Sequence, residues 1–356
     1  MPFDITLSGL PIAQPATATL NGAVKSVEQF SIEDPIAPLI VNMSRLRSHG
    51  AVQPFLDASK NAEWRDALFL PDSRYRSSSP DVDAQWYPNA VRDRGSTPFV
   101  RLFLNSNSGA NNYAGNYKLR WISTMDLTVT GGGSVIVTNQ TYNISTGAGS
   151  ADVTFPAGSP EIQFQREGLG AGDFNISALE LVKEVTYANG KTAQEMLDEG
   201  HHWRPDYLEL WKFGNRRPAS VRLMDIMGVN HLVADRSAAD VTTTAQAYYN
   251  EEIPPEVLAD FINQVNPAVA WINAPYAADA TWYSTYASRL LAAQTTETLH
   301  DWEWSNEVWN SLFDQAARLF SDATVYYYNK GIASTFATPA PITVIQGSDT
   351  VTVGSG

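Results

Sequence analysis

The chain has 356 residues, enough for about two domains. With 44% hydrophobic and 17% charged residues it can bury real cores, and its net charge of −14 gives no general footprint for nucleic acid or an anionic membrane. It has no cysteine, which excludes disulfides, zinc–cysteine sites, iron–sulfur clusters and thiol nucleophiles.

The N-terminus, MPFDITLSGLPIAQPATATL, carries no basic stretch and no long apolar run, so no secretory signal is expected. No segment approaches the ~20 apolar residues of a membrane helix. The expectation is a chain made in the cytoplasm, which leaves it only by lysis or within a larger assembly. Residues 1–40 mix apolar, small and proline residues and read as an extended arm. Residues 39–46 read as strand or helix, Asn61–Leu68 has helical character, and Arg74–Asp83 reads as loop.

Residues 98–183 are clearer. Pro98–Leu104, Tyr117–Ser123, Asp126–Val129, Ser134–Thr138, Ala151–Phe155, Glu161–Arg166 and Ile176–Val182 are short runs, often alternating, between Gly, Asn and Ser turns. That spacing predicts a β-sandwich, jelly-roll-like and of carbohydrate-binding type, over 41–185. Near Tyr187 the pattern changes. Thr192–Gly200 is helix-like, Ser220–Met224 strand-like, and Pro254–Val265 an amphipathic helix opening with prolines. Val269–Asn273 reads as strand, Thr281–Ala293 as a helix with Asp279 as N-cap, His300–Trp304 as strand and Glu307–Phe320 as helix. Strand alternating with helix predicts parallel βαβ units, about half of an eight-fold TIM-like (β/α) barrel, over 186–332. Residues 333–356 hold two β-like runs, Ile342–Ile345 and Thr350–Val353, and read as a tail or the start of a further domain. A half-barrel has exposed edges, so the expectation is that the chain continues past Gly356, that another chain contributes the missing half, or that the barrel is catalytically dead and keeps only binding.

The sharpest local pattern is Trp302-Glu303-Trp304-Ser305-Asn306-Glu307-Val308-Trp309-Asn310. A strand passing into a helix places Glu307 at the carboxyl end of a parallel strand, where barrel enzymes keep catalytic groups. Trp304 and Trp309 would desolvate that carboxyl and raise its pKa, as a general acid requires. Asn306 has the amide to bind a sugar hydroxyl, and the 11% aromatic content suits stacking on sugars as well as large cores. Equally, Asn306 and Glu307 suit the capping of the following helix. His201 and His202, with Asp206 and Glu209 nearby, have metal-binding residue types, but a His pair beside a turn fits solvated surface better; no metal and no cofactor are expected. Trp86, Trp121 and Tyr142 can stack on sugars, although each fits a core position better.

EWSNEVWN resembles the Asn-Glu acid/base motif at the fourth strand of clan A glycoside hydrolases, and more narrowly the EYSNEVWN stretch of large bacterial and phage-encoded proteins described as cellulose-binding or glycosidase-like. VRLMDIMG at 221–228, ADRS at 234–237, the segment ending in WINAPY at 271–276, VDAQWYPN at 82–89 and NYKLRW at 116–121 are similar to further stretches of that group. The resemblance covers most of 35–320. It implies a sandwich-plus-barrel protein directed at carbohydrate, with Glu307 as acid/base and Asn306 as its substrate-binding neighbour. It places Arg222 and Asp225 at an earlier strand end, with Trp271, Asn273, Tyr276, Trp304 and Trp309 lining the cleft. A retaining enzyme of that kind needs a second carboxylate about 5–5.5 Å away, supplied by a later strand. No glutamate follows Glu307. Asp225, Asp235 and Glu303 are the substitutes within this chain.

The first functional reading is a glycoside-hydrolase-like protein that binds, and where active hydrolyses, cell-surface or polymeric carbohydrate. The second belongs to another class, a phage tail fibre or tip subunit. Its arm would dock on other virion chains while it contacts host glycan without catalysis. A lectin-like module without chemistry is the third.

Overall fold

A computed structural model describes residues 17–20, 23–26, 36–42, 53–65, 81–89, 99–104, 113–156, 161–165, 175–212, 216–223, 226, 227, 229, 235–249, 252–305, 314–319, 342–344 and 351–353. The chain opens on an antiparallel ribbon of β1 (Thr17–Leu20) and β2 (Ala23–Ser26). β3 (Ile36–Asn42) takes its partner from far down the chain, pairing in parallel with β12 (Arg217–Arg222).

Two antiparallel four-stranded sheets follow. One has the order β4 (Glu63–Arg65), β5 (Val100–Phe103), β10 (Glu161–Gln165), β7 (Thr128–Gly131). The other has the order β11 (Ile176–Lys183), β6 (Gly115–Ser123), β9 (Ala148–Phe155), β8 (Ile136–Asn143). Two-residue alternation decides which side chains meet. β6 buries Tyr117, Leu119 and Trp121 and exposes Asn116, Lys118 and Arg120. β9 buries Ala151, Val153 and Phe155 beside them. From the first sheet come Val100, Leu102, Val129, Ile162 and Phe164, so both sheets close on one core. Trp121 sits opposite Gly149 in the β6–β9 register. A Cβ at that glycine would fall 2.0 Å from the indole, so only a hydrogen fits under the ring.

After β11 the chain turns helical. α1 (Ala193–Asp198) begins with a capping box between Thr192 and Glu195, and α2 (Pro205–Leu208) begins with a proline. α3 (Pro255–Val265) buries Val257, Leu258, Phe261, Ile262 and Val265, the spacing of one helix face, and ends at Asn266 in the left-handed region. α4 (Ala280–Ala293) starts where the Asp279 carboxylate accepts from the N–H groups of Thr281 and Trp282, and it buries Trp282, Tyr286 and Leu290. Interleaved with these helices are β13 (Val269–Ala274) and β14 (Leu299–Trp304). The four parallel strands lie in the order β14, β13, β12, β3. α3 and α4 share one core with Val221, Ala270, Ile272 and Ala274, so both cover the same sheet face. That follows from right-handed crossovers that keep stepping in one direction. β15 (Ile342–Val344) and β16 (Val351–Val353) form a separate antiparallel pair.

The fold class expected from the sequence, a jelly-roll-like sandwich followed by a TIM-like (β/α) barrel, is corrected here. Sheets dominate the described residues and no barrel closes. The parallel strands form one open four-stranded sheet, whose helices are too few for a TIM barrel. A TIM barrel closes with eight strands and their helices; among the described residues β14 and β3 are the two ends of the sheet.

Extensive contacts join the two cores. Leu56 N–H donates to His202 O, Arg204 N–H to Pro54 O, Ala247 N–H to Gln85 O and Tyr249 N–H to Lys60 O. The 53–62 segment gives Ala58 and Ala62 to the core between the antiparallel sheets and Phe55 to the other, where it packs on Trp203 and Tyr249 with ring centroids 4.8 and 5.3 Å away.

Candidate functional site

The carboxyl ends of β12, β13 and β14 gather most of the expected site residues that are described. In the parallel register Arg222 lies beside Trp271, and Asn273 beside Glu303. These four share the sheet face opposite α3 and α4. Arg222 reaches across β13 to β14: its Nη2 is 2.9 and 2.7 Å from the two Glu303 oxygens, and its Nε is 3.2 Å from Oε2. Its guanidinium also lies 4.7 Å from the Trp271 ring centroid. A bidentate fork over an aromatic face is a geometry for which arginine is suited and lysine is not. Both oxygens of Glu303 are therefore held by Arg222, and this carboxylate is not a free second carboxylate.

Asn273 is 0% exposed and donates from Nδ2 to Ser305 O at 2.8 Å, while Ser305 N–H donates to Ala274 O. Ser305 has φ +59°, a left-handed turn that ends β14. Asn273 is thus a positioning residue for the turn leading to Asn306 and Glu307. Asn306, Glu307, Trp309 and Asp225 themselves lie outside the described residues.

Beyond the strand ends is a cleft of about 510 Å³, lined by Asp235, Arg236, Asp240, Tyr276, Trp304 and Arg318 among others. Tyr276 and Trp304 stack with centroids 5.0 Å apart and planes at 30°, and Trp304 Nε1 donates to Tyr276 O at 3.0 Å. Trp304 remains 52% exposed. Alternation explains the exposure: Trp304 is level with Ala274 at the last rung of β14, past the helices that cover the sheet below. Asp235 pairs with Arg318 at 2.9 Å. Asp279 is occupied as the α4 cap and Asp240 as an acceptor from Ser237, so neither is an open acid.

Behind the cleft sits a group with no warning in the sequence. Glu252 is 0% exposed; it pairs with Arg236 and accepts from Thr242 Oγ1 at 3.3 Å. Burial pushes its carboxyl up to about 7, against the opposing pull of Arg236. Arg236 is also held by donation to Asp240 O at 2.6 Å. The ADRS stretch drew notice to Arg236, but nothing local marks Glu252, because its burial comes from α4 and the segment at 240–242.

The other candidates resolve into structure. His201 Nδ1 is 3.1 Å from Asp260 Oδ1 and the His202 N–H donates to Asp260 Oδ2, so the pair fixes α3 rather than joining Asp206 and Glu209. Trp121 is buried in the core between the two antiparallel sheets. Tyr142 donates its hydroxyl to Ser123 O at 3.0 Å, and Trp86 packs on Tyr248. No helix among the described residues is long and apolar enough to cross a membrane. Comparison with known protein families, curated proteins and solved structures found no match.

Proposed function

We propose that the chain binds carbohydrate at the strand-end cleft. The observation that carries this reading is the exposed Trp304, stacked on Tyr276 at the edge of a cleft whose polar walls are arginine and aspartate. An indole held flat by a neighbour and by its own N–H bond offers an apolar face to a sugar ring at little entropic cost. Planar guanidinium and carboxylate groups beside it suit the hydroxyl pairs of a saccharide. The resemblance around SNEVWN points to the same ligand class.

The test is binding of the full chain to a panel of soluble polysaccharides by calorimetry. Trp304→Ala should weaken binding to the recognised polysaccharide by about tenfold, roughly 1.4 kcal/mol, while the unfolding midpoint stays close to the parent's. A parent chain that binds none of the panel, or a variant that binds as the parent does, overturns the reading. Released reducing ends, measured on the same panel, address hydrolysis separately. Turnover lost in Glu307→Gln with binding retained would assign Glu307 the acid/base role that the sequence suggests.

A further inference from the structure

A second and larger cleft, about 810 Å³, lies where the antiparallel sheets meet the helical half of the chain. Its walls come from the 55–60 segment, residues 120–122 of β6, 148–150 of β9, 177–180 of β11, α1 and the 244–249 segment. Lys60 lines it. This lysine is only 9% exposed, and the one hydrogen bond its Nζ makes among the described residues is to Gln246 O at 2.8 Å. An ammonium carries three donors, so a buried one held by a single neutral carbonyl and by the Tyr249 ring, 5.4 Å away, has fewer polar partners than it can use. Among the described residues no carboxylate on the same walls bonds the ammonium directly, and Asp198 accepts from Gln194 Nε2 at 3.0 Å. Asp57 Oδ1 accepts from the N–H groups of Ser59 and Leu181 at 3.0 and 2.9 Å, and Glu180 is held by Arg120 at 2.7 Å.

The titration of these groups agrees with the geometry. Burial lowers the pKa of Lys60 although Asp57 and Glu180 oppose it. Burial, helped by Asp57, raises that of Glu180. The cleft therefore pairs an amine biased toward its neutral, nucleophilic form with a carboxyl biased toward holding a proton.

We propose that Lys60 captures a small neutral aldehyde or ketone in this cleft as a reversible imine, with Glu180 as the proton donor. The amine nitrogen adds to the carbonyl carbon, and the resulting carbinolamine loses its hydroxyl as water once Glu180 supplies a proton. The C=N bond replaces the C=O bond, with no change of oxidation state. A neutral carbonyl compound suits the cleft better than an anion, because its walls set Lys60 and Arg120 against three carboxylates, Asp57, Glu180 and Asp198. Hydroxyl groups on it suit the Ser177 and Thr244 side of the cleft.

The probe is glyceraldehyde with sodium cyanoborohydride, which reduces an imine to a stable secondary amine. The full chain is treated at neutral pH and each lysine's modification rate is read by peptide mapping. Lys118 and Lys191, both about half exposed, serve as references inside the same molecule. Lys60 should react several-fold faster than either, since burial leaves more of it in the neutral form that adds to a carbonyl. Glu180→Gln should slow Lys60 by about tenfold or more and leave both references unchanged, whereas Glu180→Asp, which keeps the carboxyl, should retain most of the rate. Lys60 reacting no faster than the references in the folded parent overturns the imine site. An unchanged Lys60 rate in Glu180→Gln overturns the assigned proton donor.

Discussion

Glu252 and Arg222 show how differently the fold treats two ion pairs. Glu252 is held away from water, and folding raises its carboxyl from 4.5 to about 7. The folded chain then binds that proton more tightly than the unfolded chain does. The resulting stability is complete below about pH 4.5 and is lost as pH rises to about 7. Glu252→Gln should flatten this dependence, removing on the order of 3 kcal/mol of change between pH 4 and pH 8. Urea unfolding at a series of pH values checks it, and an unchanged slope contradicts the assignment. Arg222 works at the partly exposed strand ends and serves two partners, Glu303 and the Trp271 ring. Arg222→Ala should cost about 1–3 kcal/mol by urea midpoint, because the Glu303 carboxylate loses its donors. Arg222→Lys should recover only part of that, since an ammonium cannot reproduce the two-pronged contact. Sequence motifs singled out Arg222, Trp271, Asn273, Tyr276 and Trp304; the strand register puts the first three on one face of the sheet, while only Tyr276 and Trp304 line the cleft beyond the strand ends. Their individual jobs were not legible, because the arginine fork, the turn clamp and the stacked pair each depend on which strand lies alongside.

The strands from β5 to β11 each overlap a run read from period-two alternation and turn residues, and so do β12, α3, β13, α4 and β14 from their own patterns. Alternation and helical spacing are local, so they survive being read without a fold. Gly149 shows what they omit. In the sequence it is one more turn-type residue in STGAGS; in the sheet it is the place where Trp121 crosses β9. Gly149→Ala should cost about 1–3 kcal/mol or more, because the methyl meets ring carbons within a strand that cannot move away. The loss should appear in thermal unfolding and in the near-ultraviolet signal of Trp121. Full stability in this variant would mean that the indole lies elsewhere. β3 was the hardest element to read. Its apolar run suits strand or helix equally, and its partner β12 lies far away in the sequence.

Across the whole chain, the 53–62 segment joins the two cores: it gives Phe55 to the one that holds Trp203 and Tyr249 and Ala58 and Ala62 to the other, and its backbone bonds Trp203's neighbours and Tyr249. Such a junction couples the halves more strongly than a flexible linker would. Phe55→Ala removes a buried ring from this contact and should cost about 3–5 kcal/mol. Far- and near-ultraviolet unfolding curves should coincide in the parent and shift together in the variant. Two separated transitions in the parent would show that the halves are independent. The same junction creates the Lys60 cleft, which the sequence did not foretell, since its walls come from segments as far apart as 55–60, 120–122, 148–150, 177–180 and 244–249. Periodicity was enough for the strands from β5 to β14, for α3 and α4 and for the aromatic strand end at 302–304, because those follow from each residue's nearest neighbours; it failed at Asn61–Leu68, read as helical, where Glu63–Arg65 is the strand β4. Whether the parallel strands curl into a barrel or stay an open sheet depends on how many strands pair and where the last ones end. The burial of Glu252 and Lys60 likewise depends on segments far away in sequence. Those are long-range pairings, and their free energy belongs to surfaces that exist only once the chain has folded.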